Sequence, residues 1–282
     1  MERYIKRYWP VFVLPTMLAF AIGFLIPFLM GLYLSFCEFT TLSNAAFVGF
    51  QNYVRAFADA ASDFGHALWF TALFALLSTA LINLVGLVVA LLLVKGFRGT
   101  NVFRTVFFMP NLIGGIVLGW LWQVILNGVL ARWGVTIVTN EWYGFWGLTA
   151  VMLWQQAGYM MIIYISGLTA IPAELTEAAA IDGATPWQTL TRVKLPMLMP
   201  SITICTFLTL TNGFKLFDQN LALTNGMPSN RSQLLALNIY ATFYGRTGWA
   251  GAGQAKAVVF CAIVVGIALL QLHFTRAREV QQ

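Results

Sequence analysis

Of 282 residues, 59% are hydrophobic and only 9% charged. A soluble domain carries about a quarter charged residues, so this composition excludes a water-facing surface and makes a bilayer the natural solvent. The net charge of +6 does not indicate a nucleic-acid partner. The basic residues stand singly or in small groups at the ends of apolar runs, which suits the cytoplasmic bias of Lys and Arg.

The first residues, MERYIKRYWP, form a basic flank like that of a signal peptide. The apolar run that follows is too long for an h-region and shows no clear small-residue cleavage site, so it reads as a retained anchor. Six runs approach the length of about 20 apolar residues that a helical span needs. They are Val11 to Cys37, Ala67 to Val94, Thr105 to Leu126, Phe145 to Ile171, Met197 to Phe214 and Ala257 to Phe274. The fifth is the weakest, because Lys215 and Asp218 follow it at once. The runs are continuous rather than alternating, which predicts helices and not a barrel. Pro110 and Gly114-Gly115 interrupt the third run and predict a kink or close helix packing; Pro15 and Pro27 do the same in the first. The expected class is therefore an all-α integral membrane protein with six spans.

Residues 1–66 comprise the first span and an outer loop, 67–275 the remaining membrane domain, and 276–282 a short tail. The outer loop from Glu38 to Gly65 has room for a short helix at Phe50 to Ala61. The connection from Gln219 to Gln254 is long and rich in Gly and Asn, and its SQLLALNIYATFY segment predicts a helix lying outside or re-entering the membrane. Such length within a compact domain often accompanies function, though a plain surface loop fits as well. Six spans put both termini on one side. The 16 Lys and Arg divide ten to six. The larger set includes Arg3, Lys6, Arg7 and Arg278 at the termini and Lys95, Arg98 and Arg104 in the connection KGFRGTNVFR. The smaller set includes Lys256. The larger set marks the cytoplasmic side, so both termini are expected there.

Three cysteines, Cys37, Cys205 and Cys261, lie in or beside apolar runs without a CxxC pair. They read as buried small hydrophobes. His66 and His273 are too few for a metal cluster, and no metal site is expected.

The stretch EAAAIDGATPWQTLTRVKLP, Glu177 to Pro196, is a polar segment between the fourth and fifth spans. Pro172 suits the first helical position, and Glu174 then lies where the helix dipole favours an anion. Asp182-Gly183 ends that helix, Gly taking the left-handed position. Thr185, Pro186 and Gln188 form a new start with a capping box. Trp187, Leu190 and Val193 give the second helix an apolar stripe. The product is a helix–turn–helix knuckle on the cytoplasmic face. It suits docking in a groove on a partner; resting on lipid headgroups suits the same residues equally well.

Glu177-Ala178-Ala179, Gly183, Val193, Leu195 and Pro196 resemble the EAA motif of permease subunits of binding-protein-dependent ABC importers. Val193 stands where that pattern has Ile. The surrounding IPAELTEAAAIDGA is similar to the carbohydrate branch, close to maltose-type and glycerol-phosphate-type permeases. FDQNLALTNGMP, Phe217 to Pro228, resembles that branch's FD…LTGGGP segment, with Asn225 and Met227 replacing glycines. The resemblance extends from about Ala67 to the C-terminus. It implies the type I importer fold, with the loop 172–196 docking on an ATP-binding subunit. Glu177, Ala178, Ala179, Asp182, Gly183, Trp187, Leu195 and Pro196 would then form the coupling contact. It further implies a second permease, usually a different chain, two ATP-binding subunits and an extracytoplasmic solute-binding protein. The sequence has no GxxxxGK[ST] loop, so no cofactor is expected in this chain; ATP and Mg would sit in the partners.

Candidate pathway residues follow from intramembrane polarity. Asn212, Lys215 and Asp218 recur at three-residue spacing near one helix face, and suit either a polar lining or a simple Lys–Asp pair. Trp154, Gln155, Gln156 and Tyr159 combine ring faces with amides, a mixture that sugars bind. Interfacial belts and interhelical hydrogen bonds use the same residues. A secondary transporter driven by an ion gradient is the alternative, but it calls for buried carboxylates and a repeat between halves. An intramembrane enzyme would need a nucleophile with its base or a metal motif, and neither pattern is present.

Overall fold

A computed structural model describes Val11, residues 13–59 and 63–276, with the side chains at 42 and 272–276 left aside. The basic flank with Arg3, Lys6 and Arg7, residues Ala60 and Ala61 of the predicted outer helix, Arg278 and most of the tail lie outside the described residues, as does the His273 side chain. The chain divides into two compact units, residues 1–63 with 239–261, and 64–238 with 262–282.

In the first unit, α1 runs from Val13 to Leu34 with no part of its apolar window buried. It contains a π-helical stretch at Ala21–Leu25 and stacks Phe24 on both Phe20 and Phe28. A two-residue antiparallel ladder follows, β1 (Cys37–Glu38) against β2 (Ala46–Phe47). It leads into α2 (Gln51–Ala58), within the predicted Phe50 to Ala61. The buried Asn52 side chain secures this turn, its Nδ2 donating to the carbonyls of Ser35 (3.0 Å) and Cys37 (2.8 Å). Arg246 pairs with Asp59.

The second unit is built on two long helices, α3 (Phe64–Leu93) and α6 (Glu141–Thr169). At 1.5 Å per residue α3 is about 45 Å long, enough to cross a bilayer. α6 is the central element, with two-thirds of its apolar window buried. Its start is fixed by Asn140, whose side chain accepts from the Trp142 amide at 2.9 Å, as an N-cap should. Small residues bring the helices together. A Cβ on Gly86 of α3 would stand 3.1 Å from Met160 Cβ on α6. Membrane helices associate through such close contacts because lipid offers no hydrophobic drive. A polar bond set joins α3, α6 and α9 (Met199–Phe214): Asn83 Nδ2 donates to Thr209 Oγ1 at 2.9 Å, and Tyr164 Oη donates to Asn83 Oδ1 at 2.6 Å.

The third span differs from its prediction. Thr105 to Leu126 is not one helix. α4 (Thr100–Phe108) ends in a 3-10 turn at Met109–Leu112, Ile113 is extended, and α5 (Gly115–Leu130) starts afresh. Pro110 has no amide to continue an α ladder. The fifth span is also broken: α8 (Pro186–Met197) and α9 meet at Leu198 with a 70° bend. Among the described residues, five helices are long and apolar enough to span, or six if that bent pair is one span. The last helix, α12 (Ala250–Arg276), begins seven residues before the predicted Ala257. Lys256, counted above with the outer-side cations, is therefore a fully buried helix residue whose Nζ donates to Thr242 Oγ1 at 2.8 Å. Most of SQLLALNIYATFY is helical, as α11 (Leu235–Gly245). Cys37 and Cys205 are buried and free, Cys261 half-buried and free.

Candidate functional site

Two features of the second unit are candidates for function. The first is the polar segment between α6 and α8. α7 spans Ala173–Ile181, with Glu174 in its first turn. Pro172 lies one position earlier than predicted: it is the N-cap residue, with ψ 133° outside the helical range. Gly183 takes φ +75°. The Ala184 amide reaches the Ala179 carbonyl at 2.9 Å and the Gly183 amide the Ala180 carbonyl at 3.1 Å. This pair of bonds is a Schellman stop, which only a residue tolerant of positive φ permits cheaply. The capping box forms as predicted: the Gln188 amide donates to Thr185 Oγ1 (3.3 Å) and the Thr185 amide to Gln188 Oε1 (2.8 Å). Four sequence signals thus produce a stiff knuckle.

The predicted apolar stripe does not survive. Thr189–Lys194 winds as a π-helix, which turns each residue through a smaller angle than α. Trp187 stays 71% exposed, while Leu190 lies half-buried in a groove with Val88 and Leu91 of α3. The most exposed large apolar groups of the knuckle are Ile181, 86% exposed, and Trp187, with Leu175 at 41%. Ile181 was not among the expected residues; the signal was its place between Ala180 and Asp182, at the tip. Glu177, Ala178, Asp182 and Gly183 are exposed alongside it, whereas Ala179, Leu195 and Pro196 are half-buried. Leu195 and Pro196 lie at the far end of α8, where they lead into the bend rather than onto the tip.

The second feature is a polar cavity of about 340 Å³ lined by Asn111, Gln155, Gln156, Tyr159, Asn212, Lys215, Asp218 and Gln219, with Leu216 and Phe217. It gathers six of the seven expected pathway residues. The seventh, Trp154, does not line it: it is 45% exposed and packs edge-on against Trp122, ring centres 5.7 Å apart. Asn212, Lys215 and Asp218 do not share one helix face, as the spacing suggested. α9 ends at Phe214, Lys215 caps it, and Asp218 opens the separate short helix α10 (Asp218–Leu223). Lys215 and Asp218 form no ion pair, so the alternative of a simple Lys–Asp pair is not what the structure contains.

α10 is held by α5. A Cβ on Gly115 would stand 2.7 Å from Asp218 Cβ, and one on Gly119 2.8 Å from Ala222 Cβ. Gln123 Nε2 adds a bond to the Leu223 carbonyl at 2.9 Å. Gln219 Nε2 donates to Gln155 Oε1 at 2.7 Å, and Gln155 Nε2 donates to the Ile113 carbonyl at 3.2 Å. Gln155 is therefore a buried strut with its amide engaged at both ends. Asn212 Nδ2 reaches Gln156 Oε1 at 3.4 Å. Asn111 and Gln219 were missed from sequence. Asn111 follows Pro110 in an apolar run, a polar residue at a helix break; Gln219 shows only as part of FDQN. Asn225, standing in for a family glycine, takes φ +47° beside Gly226 at +80°, so the turn after α10 keeps left-handed geometry, which Asn tolerates better than most residues.

A knuckle ahead of a bent span, and a polar cavity among apolar helices, are parts of a solute-moving membrane protein. The family described as "Binding-protein-dependent transport system inner membrane component" matches residues 82–279. The chain belongs to this family. Its relatives include the probable starch degradation products transport system permease AmyD of Thermoanaerobacterium thermosulfurigenes, 42% identical over 97% of this chain and 95% of the relative. The multiple sugar-binding transport system permease MsmF of Streptococcus mutans is 30% identical over 99% of each. The permease also superimposes on a chain of a bacterial ABC transporter involved in alginate import, with TM-score 0.82 over 98% of both chains and 23% identity. That likeness supports the type I importer architecture. The permease is thus a multi-pass inner-membrane transport component, and the ion-gradient alternative falls away.

Proposed function

We propose that this permease forms, with a second permease of different sequence, the path of a carbohydrate through the membrane. One of two ATP-binding subunits grips the knuckle at 172–196, an extracytoplasmic solute-binding protein delivers the cargo, and both termini face the cytoplasm. ATP and its Mg belong to the gripping subunits. The observation that carries the coupling reading is the knuckle itself: two capped helices, joined by a Schellman turn, with Ile181 and Trp187 outward. Burying two large apolar side chains in a partner stabilises contact by roughly 1.5–3 kcal/mol each. The relatives named for starch products and multiple sugars support the cargo class, as does a structural neighbour solved with an alginate pentasaccharide-bound periplasmic protein. In this chain the matching chemistry is the cavity: amides of Asn111, Gln156 and Asn212, the Tyr159 ring, and the charges of Lys215 and Asp218.

Closure of the partners on nucleotide moves the knuckle as a rigid body and tilts α6 and α9, which flank the cavity. Nucleotide drives this only if the partners bind the two states unequally. Glu177→Lys reverses a charge on the exposed face of α7 without touching the cavity. In proteoliposomes with loaded binding protein, stimulated ATP hydrolysis should fall at least tenfold while the unstimulated rate stays. Full stimulation in that variant would remove the coupling role.

A further inference from the structure

A groove of about 380 Å³ lies between the last turns of α3 and the start of α8, apart from both the knuckle tip and the polar cavity. Its floor is aliphatic: Val88, Leu91 and Leu92 from α3 and Val94 just past its end, with Pro186 and Leu190 from α8. Its remaining lining residues are Lys95 and Lys194. No acidic side chain lines it, and neither lysine forms an ion pair among the described residues.

We infer that this groove binds an anionic phospholipid, its acyl chain along the aliphatic floor and its phosphate between Lys95 and Lys194. Three observations select that occupant. The lysines lie where the apolar run of α3 stops, at Leu93, which is the depth at which headgroups begin. Val88 and Leu92 are 47% and 56% exposed, so the floor is open on the outer surface of a span, where an acyl chain can reach it. Two uncompensated cations beside an apolar channel complement a molecule that is anionic at one end and aliphatic at the other. Basic pockets between membrane helices attract anionic headgroups by this means. A seated lipid bridges α3 and α8 and braces the base of the knuckle. The inference concerns lipid alone and does not rest on the coupling role.

The test uses the full chain, purified in mild detergent with its co-expressed partners, and native mass spectrometry of retained lipid. Dioleoylphosphatidylglycerol and dioleoylphosphatidylcholine are offered in equal amounts; their chains are identical, so only the headgroup differs. The expected result is preferential retention of the phosphatidylglycerol, reduced on the order of tenfold by Lys95→Gln with Lys194→Gln. Leu91→Trp fills the floor with both charges intact and should lower phosphatidylglycerol retention as well, which separates groove occupancy from loose attraction to the surface. Excess inorganic phosphate should displace nothing. Equal retention of the two lipids by the wild type would overturn the inference, and so would retention unchanged in both variants. Displacement by free phosphate would mean a bare anion site and overturn it too. Loss of an ATP-binding subunit from the lysine variant with lipid retention unchanged would assign the groove to a protein partner and overturn it equally.

Discussion

Adding a single methyl group at Gly119 should dismantle one wall of the polar cavity. In Gly119→Ala the new Cβ would start 2.8 Å from Ala222 Cβ, 3.1 Å from the Gln219 carbonyl oxygen and 3.2 Å from Gln219 Cα. Carbon atoms rest at about 3.5–4.0 Å, and two of these three neighbours are backbone. α10 must therefore retreat from α5 by about 0.9 Å. The Gln219–Gln155 bond, now 2.7 Å, would stretch to about 3.6 Å, which is no longer a hydrogen bond. Overpacking costs about 1–3 kcal/mol and the lost bond about 1 kcal/mol. The sum, about 2–4 kcal/mol, corresponds to a fall in Tm on the order of 5–10 °C. Thermal unfolding of the detergent-purified protein measures it. Gly128→Ala, on the same helix with nothing within 4 Å, is the control and should melt with the wild type. Ala222→Gly in the Gly119→Ala background removes the nearest atom and should restore much of the loss. Equal melting of Gly119→Ala and Gly128→Ala, or no rescue by Ala222→Gly, would refute the account of how α10 is seated.

Other expectations follow from the same kind of contact. Tyr164→Phe leaves Asn83 Oδ1 without its 2.6 Å donor and should cost about 0.6–1.7 kcal/mol, the range of interhelical bonds in membranes. The loss should vanish in an Asn83→Leu background, and a loss of equal size there would show the hydroxyl acting elsewhere. Thr185→Ala removes the acceptor for the Gln188 amide, so the capping box should weaken by about 0.5–2 kcal/mol. Amide hydrogen exchange at Gln188 should then quicken about tenfold, whereas an unchanged rate would mean that packing alone holds the start of α8.

Membrane class, spans and most of the knuckle are legible in the sequence because their causes are local. A bilayer demands long uncharged runs, and these are counted along the chain. Gly183 at positive φ and the Thr185–Gln188 capping box likewise act within six residues. The break at Pro110 was visible, but not that Thr100–Phe108 would become its own helix, since whether a proline kinks or ends a span depends on what re-satisfies the freed backbone. The Trp187–Leu190–Val193 stripe failed because periodicity assumes α winding, and the π-turn at Thr189–Lys194 is no local preference of those residues. Lys256 marked a span boundary in the sequence, yet it sits buried on α12 with Thr242 accepting from it. Hydropathy prices a lysine as exposed and cannot see a partner fourteen residues away.

The cavity belongs wholly to tertiary structure. Asn111, Gln155, Asn212 and Gln219 come from four stretches of chain, and Gln219 joins the others because Gly115 and Gly119 let α10 lie against α5. Sequence alone determined that this chain crosses a membrane and carries a capped knuckle, since solvent and backbone chemistry act on each segment separately. Which polar groups face one another, and that Trp154 faces away from them, was decided by helix packing, where single atoms at glycine contacts set the distance between segments.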